Sequence, residues 1–233
     1  MSGSNPLSML QTSGRKAEPA QDVVFRWLKQ HIVTLPRRDG VFLTEAEVCR
    51  AIGTSRTPVR EALLRLEADG FLQIVPKKGA YVAPITEADI EAVMQARKLV
   101  EEWCARQAAG LGETLARELD QLIDQQAQLQ DDPVAFIESD RLFHRAIVSA
   151  AGNPVLAGFY ESLRDRQLRM GVHAVTTSDR RSGDVLGEHR AIVAGIAAGD
   201  PDQAAEAVAR HLATTLAALR MPIIRPLERS FST

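Results

Sequence analysis

Residues 42–82 of the chain read FLTEAEVCRAIGTSRTPVREALLRLEADGFLQIVPKKGAYV, and they begin with the signals of two short helices. Thr44 and Glu47 have the spacing of a capping box, which predicts a helix that starts there and ends at Gly53. Hydroxyl side chains and a proline around Thr57 favour the start of a second helix. A hydroxyl can accept a hydrogen bond from a free backbone N–H of the first turn, and a proline has no backbone N–H that would need a partner there. We therefore predict two helices joined by a tight turn, the second beginning within a residue or two of Thr57.

The chain on either side of these helices completes a small module. Ahead of them, apolar residues recur at helical spacing over 20–33. After them, strand-like runs at 71–75 and 80–83 flank the basic turn Pro-Lys-Lys-Gly at 76–79. Three short helices followed by a two-stranded hairpin predict a winged helix-turn-helix over residues 19–84.

The composition is that of a folded protein and excludes several classes. The chain has 233 residues, of which 45% are hydrophobic and 25% are charged, close to the globular average. Its apolar runs are far shorter than the roughly 20 residues that span a bilayer, and its first residues lack the pattern of an export signal. Two cysteines, Cys49 and Cys104, are too few for a disulfide framework or a thiolate metal cluster. These observations predict a cytoplasmic location and no membrane partner.

Charge is distributed unevenly along the chain. Residues 19–84 contain ten Lys and Arg against seven Asp and Glu, whereas residues 85–233 contain sixteen against twenty-two. The two parts are therefore expected to have different partners, and the basic N-terminal part suits a polyanion.

The pattern beyond Thr86 is helical throughout. No strand signal remains there, and Gly- and Pro-containing breaks, including a long one at 171–183, divide it into about six helices. The expected fold class is mainly α, an N-terminal winged helix-turn-helix followed by an all-α helical bundle. The predicted parts are a flexible tail at 1–18, the winged module at 19–84, the bundle at 85–220 and a C-terminal tail at 221–233.

The winged module offers basic residues where such modules meet DNA. The first turn of its third helix would aim Arg56 and Arg60 at bases and phosphates in a major groove, where the planar Arg fork pairs with guanine. Thr57 and the helix N-terminus can hold a phosphate, and Lys77 and Lys78 on the wing can reach a neighbouring backbone or minor groove. The alternative is a solvated basic face on a winged helix that binds protein.

The same stretch resembles the DNA-binding domain of the GntR family of bacterial transcription regulators. The resemblance rests on SRTPVREAL at 55–63, on the RLEADG that follows, and on the Lys-Lys-Gly wing. The family commonly has Glu-Arg-x-Leu in its second helix, whereas the chain has Glu-Ala-Glu-Val at 45–48. The usual Arg contact is therefore missing, and we expect the operator sequence or affinity to differ from the family's norm. The DNA contacts that the resemblance implies are Arg56, Thr57 and Arg60, with Gly79 at the wing tip.

Four polar residues of the bundle lie on apolar helix stripes. Asp140 and His144 are four residues apart and so share one helix face, and His189 and His211 lie on the apolar stripes of two further helices. A buried carboxylate is costly without a partner, and a divalent cation held by one carboxylate and three imidazoles would remove that cost. A hydrogen-bonded Asp–His network would also account for these polar residues on apolar stripes, so a metal site and a polar network remain alternative interpretations.

The bundle also carries motifs of a known family. Asp-x-x-Phe-His at 140–144, Gly-Asn-Pro at 152–154, Glu-His-Arg-Ala-Ile at 188–192 and Arg-His-Leu at 210–212 resemble the FCD effector-binding domain of the FadR-type GntR subfamily. Zinc or nickel is then the expected cofactor, since both suit imidazole ligands. The ligands implied by the resemblance are Asp140, His144, His189 and His211.

Effectors of this family are often small carboxylates that complete the metal shell. Arg97 lies on the inward stripe of its helix, and family members carry an Arg in a similar segment, so the resemblance makes it the effector-binding residue. An equally good interpretation is a structural pair with Glu101, four residues on.

Together these features predict a regulator that forms a homodimer, binds a pseudo-palindromic double-stranded DNA operator as a repressor, and responds to a small carboxylate. One alternative is a constitutive DNA binder with a structural metal. Another is a metal-dependent hydrolase, but its only candidate base, Glu188, points about 100° away from its neighbour His189 on the helix. We therefore expect no enzyme activity.

Overall fold

The computed structural model describes residues 18–35 and 39–221, except for the side chains at 164 and 165. The tails predicted at 1–18 and 221–233 lie, apart from one residue each, outside the described residues. The described part has a small winged module, here called the head (20–82), and a helical bundle (87–219). Within it, no helix is both long and apolar enough to cross a bilayer.

The head is the predicted winged helix-turn-helix. Its core forms where one face of the first helix meets one face of the third, with Leu28, Ile32, Val59 and Leu66 among the fully buried side chains. Its helices are α1 (Ala20–Val33), α2 (Glu45–Ile52) and α3 (Arg56–Ala68), and its strands are β1 (Val41–Leu43), β2 (Gln73–Val75) and β3 (Gly79–Val82).

Local sequence signals set the ends of α2 and α3. The Thr44 hydroxyl accepts a hydrogen bond from the Glu47 amide and the Glu47 carboxylate accepts one from the Thr44 amide, which completes the predicted capping box. Gly53 ends α2 with a left-handed φ of 71°, and α3 begins at Arg56. Both predictions are confirmed.

The sheet differs from the predicted two-stranded hairpin. A third strand, β1, pairs antiparallel with β3, giving the order β1-β3-β2. This strand has only three residues, and only Leu43 of them is buried, so it is too short to show an alternating pattern.

The bundle has seven α-helices among the described residues, where about six were predicted. The predicted long break at 171–183 is wrong, because Gly171 lies inside a helix, Arg164–Val175, and the connection to the next helix begins only after Val175. Gly171 serves close packing, since a Cβ there would lie 2.6 Å from the Ile137 Cγ2 of the helix Pro133–Ala150. The helices are α4 (Glu87–Ala108), α5 (Gly112–Ala127), α6 (Pro133–Ala150), α7 (Pro154–Glu161), α8 (Arg164–Val175), α9 (Arg181–Ala197) and α10 (Pro201–Leu219).

Three of these helices begin in the same way. Asp132, Asn153 and Asp200 each accept backbone N–H bonds with the side chain, and a proline follows each of them at the first helical position. These caps fix the starts of α6, α7 and α10. The last helix packs against α4, α8 and α9, and α4 also packs against α6 and α9. The helices α4, α6, α9 and α10 therefore surround one centre.

Candidate metal centre and nucleic-acid interface

The four predicted ligand residues meet at the centre of the bundle. Asp140 and His144 come from α6, His189 from α9 and His211 from α10, and one ligand atom from each lies within 4.8 Å of all the others. The three histidines are buried, while the Asp140 side chain keeps 14% of its surface exposed. The geometry is that of a cluster of four donors that converge from three helices.

The three imidazoles are oriented by partners that only accept hydrogen bonds. A carboxylate or amide oxygen has no proton to give, so each Nδ1 is the donor, and in a neutral imidazole Nε2 then carries a lone pair. The bonded pairs are His144–Glu101 at 2.9 Å, His189–Gln126 at 3.0 Å and His211–Glu188 at 2.7 Å. All three side chains therefore have the tautomer of a metal-ligating imidazole whose other nitrogen is held by a second residue.

The free nitrogens face the Asp140 carboxylate. His189 Nε2 lies 3.3 Å from Asp140 Oδ1 and His144 Nε2 lies 3.7 Å from Oδ2. Neither Nε2 atom has a hydrogen-bond partner among the described residues, although both are buried. Lone pairs directed at a carboxylate repel it, and a cation placed between them would turn that repulsion into attraction. The residues present therefore fit a divalent cation.

The protonation states of the cluster suit the same role. Burial lowers the pKa of His189 to about 3, against the attraction of the Asp140 carboxylate. Burial also lowers the pKa of His211, although its bond to Glu188 opposes this. Neutral imidazoles and an ionised carboxylate are the forms that bind metal.

Arg97 and Glu101 form a buried ion pair beside the centre. The Arg97 Nε donates to Glu101 Oε1 at 2.6 Å, and the Tyr160 hydroxyl donates to the same oxygen at 3.0 Å. Burial would raise the pKa of Glu101, but Arg97 and His144 hold it well below its ordinary value. The structural pair considered for Arg97 is thus present, and its partner also orients a histidine of the cluster.

A second buried arginine, missed by sequence reasoning, holds Glu188. Arg181 donates to both Glu188 oxygens, at 2.7 and 3.1 Å, and to the Thr215 hydroxyl at 3.0 Å. Burial tends to raise the pKa of Glu188, but His211 and Arg181 lower it to about 2. A carboxylate held in this way is a poor general base, which agrees with the expectation that the protein is not a hydrolase.

Gln126 was also missed, although a weak signal for it exists. It follows Leu119 and Ile123 at helical spacing on α5, and its side chain is completely buried. An amide on an apolar stripe needs hydrogen-bond partners, and Gln126 has them in His189 and Asp140. Such a position indicates a polar centre but does not identify it.

A small cavity lies beside the cluster, with Arg97, Asp140, Tyr160, Gln167 and Arg181 among its walls. Its volume of about 30 Å³ is small against the roughly 300–1,000 Å³ of ordinary ligand pockets. Two buried nitrogens of its walls, the Gln167 Nε2 and the Arg181 Nε, have no hydrogen-bond partner among the described residues. These two nitrogens can therefore donate hydrogen bonds to a ligand that enters the cavity.

The predicted DNA contacts lie together on the surface of the head. Arg56, Thr57 and Arg60 are exposed on the first turn of α3. Arg60 is held by Glu45 of α2, with Nε–Oε1 at 3.0 Å and Nη2–Oε2 at 3.3 Å. In the free protein this basic side chain thus already has an acidic partner, which DNA would have to replace.

The wing has its lysines at the turn between β2 and β3. Lys77 and Lys78 are exposed there, with Lys77 at a positive φ of 64°. Gly79 is not at the tip but begins β3, with a φ of 110°, and a Cβ at this position would lie 2.6 Å from the Leu43 carbonyl oxygen of β1. Its observed role is to let two strands approach closely.

Comparison with known proteins assigns each of the two parts of the chain to a domain family. A family model described as "Bacterial regulatory proteins, gntR family" matches residues 20–82, and one described as "FCD domain" matches residues 92–214. The structure of McbR/YncC from E. coli superposes with a TM-score of 0.62 at 23% identity, covering 87% of this chain and 98% of that one. That likeness shows a shared fold.

Curated relatives span most of the chain. The "Probable D-xylose utilization operon transcriptional repressor" of Paenarthrobacter nicotinovorans is 32% identical over 181 residues, which cover 77% of this chain and 79% of the relative. The "HTH-type transcriptional repressor RspR" of Escherichia coli (strain K12) is 29% identical over 213 residues, covering 87% and 90%. The chain belongs to the gntR family of bacterial regulatory proteins, with a winged DNA-binding head followed by an FCD domain.

Proposed function

We propose that this regulator is a repressor whose operator affinity changes when a small carboxylate joins a divalent metal ion in the bundle. Family membership makes the chain a DNA-binding transcription regulator and not an enzyme. The metal, the effector and the response go beyond that, and the arrangement of the four-residue cluster supports them.

The orientation of the three imidazoles carries the metal proposal. Each Nδ1 is fixed by an acceptor, so the neutral imidazoles can offer three Nε2 lone pairs, which together with the Asp140 carboxylate make four potential metal ligands. Zinc or nickel suits imidazole nitrogen and carboxylate oxygen. When bound, such an ion supplies open coordination positions that a carboxylate oxygen can fill.

The cavity beside the cluster supports a carboxylate as effector. Arg97 lines it and stays charged, since its pKa is raised by Glu101 despite the opposing effect of burial. A guanidinium next to a metal ion favours an anion that touches both. The relative named for D-xylose utilization is consistent with a small metabolite as the signal.

Helix α8 is the element that can transmit binding to the head. Its Gln167, Leu168 and Gly171 line the small cavity, while its Arg169 donates a hydrogen bond of 2.7 Å to the Ala83 carbonyl, directly after the wing. A cavity of about 30 Å³ must widen to accept most carboxylates, and α8 supplies more of its lining residues than any other helix. We therefore expect the widening to displace α8. The effector would therefore favour one arrangement of head and bundle over the other.

A homodimer would bring two heads to a pseudo-palindromic operator. Exposed apolar side chains on α4 and α7, two helices that pack against each other, offer a face for a second copy of the chain. Leu99 and Val155 are the most exposed of them, at 77% each. We expect Leu99→Glu with Val155→Glu to give monomers in light scattering, and a variant that stays dimeric would place the interface elsewhere.

Operator binding in the presence of candidate effectors tests the function. An operator is first selected from random duplexes by the zinc-loaded full-length protein, and its affinity is then measured by fluorescence anisotropy against a panel of small carboxylates. At least one should weaken binding by about 5- to 150-fold, the usual range of allosteric coupling. Its effect should be lost in Arg97→Lys, which keeps the charge but loses the bidentate fork.

The outcome also separates the alternatives. If the protein selects an operator but no carboxylate changes its affinity, the protein is a constitutive DNA binder and the effector proposal is wrong. An effector that acts equally well on Arg97→Lys would leave the regulator in place and remove Arg97 from the ligand site.

A further inference from the structure

We propose a second ligand site, in the cleft between the head and the bundle, for a small anion carried on an apolar body. The cleft has a volume of about 340 Å³, within the usual range of ligand pockets, and domain junctions are frequent places for such pockets. It lies on a different face of α8 from the small cavity at the metal cluster. The inference does not depend on the metal.

Arg169 is the first reason for expecting an anion. Its Nη1 is used by the Ala83 carbonyl, but its Nη2 is buried and has no hydrogen-bond partner among the described residues. Burial lowers the pKa of Arg169, as expected where a guanidinium is desolvated without a compensating carboxylate. An unsatisfied charged donor at the wall of a cleft favours a ligand that accepts its hydrogen bond.

Arg166 supplies a second positive charge in the same cleft, one helical turn before Arg169. The acidic residue of the lining is Asp89, whose Oδ2 already accepts hydrogen bonds from the Thr86 amide at 3.0 Å and the Thr86 hydroxyl at 2.6 Å. The lining therefore contains two guanidinium groups and one carboxylate, and that carboxylate is already engaged in capping a helix. The excess positive charge suits a carboxylate or a phosphate group.

The remaining walls define the rest of the ligand. They include apolar side chains from both parts of the protein, which suit a short alkyl or aromatic body. These residues are Phe71 and Leu72 of the head, Ile85 of the connection and Met170 of α8.

A ligand in this cleft would act on the arrangement of the two parts. It would contact α8 on one side and the end of the wing on the other, next to the Arg169–Ala83 hydrogen bond. Binding that requires both walls stabilises the arrangement in which they face each other. The cleft thus gives the regulator a second input beside the metal cluster.

Calorimetric titration of the full-length protein tests the proposal with hexanoate and phenyl phosphate as probes and hexan-1-ol as the neutral control. We expect saturable binding of at least one anion, near one per chain, and none of the alcohol. Arg169→Gln and Arg166→Gln should each weaken binding about tenfold or more, the loss of one charge-assisted hydrogen bond. Arg166 is exposed, so its variant keeps the fold even if Arg169→Gln does not.

Two controls locate the bound anion. Arg117→Gln changes an exposed arginine of α5 outside the cleft and should leave the affinity unchanged. His189→Ala disrupts the metal cluster and should remove only the binding that occurs there, so the binding in the cleft should persist in this variant. Binding lost in His189→Ala but kept in both cleft variants would assign the anion to the cluster and overturn the proposal. Absence of saturable binding to the wild type would overturn it as well, without touching the metal site.

Discussion

At the scale of single residues, the ion pair of Arg97 and Glu101 connects two parts of the site. Glu101 orients His144 by accepting a hydrogen bond from the His144 Nδ1, and it balances the charge of Arg97 at the cavity wall. The spacing of four residues allowed the pair to be predicted from the sequence, but the same spacing also occurs in exposed pairs that contribute little to the stability of the protein. Burial decides between them, and burial depends on α6 and α7, which are distant in sequence.

Glu101→Gln should therefore be strongly destabilising. It leaves Arg97 buried without a countercharge, and breaking a buried pair in this way costs about 3–5 kcal/mol of the free energy of unfolding. Glu91→Gln is the matched control, because Glu91 lies on the same helix and forms an exposed pair with Arg220. Its effect in urea unfolding should stay within about 0.5 kcal/mol. Similar losses for both variants would contradict the role given to burial.

Glu45 should restrain DNA binding through Arg60. Glu45→Gln frees the Arg60 fork and removes a negative charge close to the first turn of α3, so operator affinity should rise. Arg60→Ala alone should weaken specific binding by roughly 1–3 kcal/mol. In the Arg60→Ala background, most of the gain from Glu45→Gln should disappear, as a double-mutant cycle in anisotropy would measure. A gain that is unchanged in that background would mean that Glu45 acts on DNA directly.

At the level of elements, α8 matters because it lines the cavity at the metal cluster, contacts the head and packs against α6 and α10. Its close approach to α6 depends on Gly171, where a Cβ would lie 2.6 Å from Ile137 Cγ2. The sequence showed a glycine and predicted a break. Whether a glycine ends a helix or lets two helices meet depends on the facing element, which local sequence does not contain.

Gly171→Ala should push α8 away from α6. Overpacking of this kind costs about 1–3 kcal/mol, which thermal unfolding would detect. Gly158→Ala in α7 is the control, since a Cβ there meets nothing within 4 Å and alanine favours the helix by about 0.5–1 kcal/mol. If Gly171→Ala were as harmless as Gly158→Ala, the helices would have room to spare and the account of α8 as a tightly held wall would be wrong.

At the scale of the whole molecule, local signals predicted most of the architecture. The Thr44 cap acts within a few residues, so the start of α2 could be predicted directly from the sequence. The convergence of the four donors could also be predicted, since each lies on an apolar stripe. What could not be predicted are contacts between distant parts, such as the Arg181–Glu188 pair and the Arg169–Ala83 bond.

The head and the bundle are joined by few polar contacts, which suits a movable junction. Besides Arg169, the Lys29 ammonium of α1 lies 2.5 Å from the Glu138 carboxylate of α6. This contact ties the head to the helix that carries Asp140 and His144. Two contacts, one from α6 and one from α8, thus connect helices at the cluster or its cavity with the head.

The metal content of the full-length protein tests the central claim most directly. Elemental analysis after incubation with zinc or nickel and mild dialysis should find about one ion per chain, and about a tenth or less in His144→Ala and His211→Ala, because each loses a ligand. Gln203→Ala, an exposed change on the same helix as His211, should retain the full amount. A wild-type protein that binds neither metal would contradict the account and make Asp140 and the three histidines a hydrogen-bonded polar core.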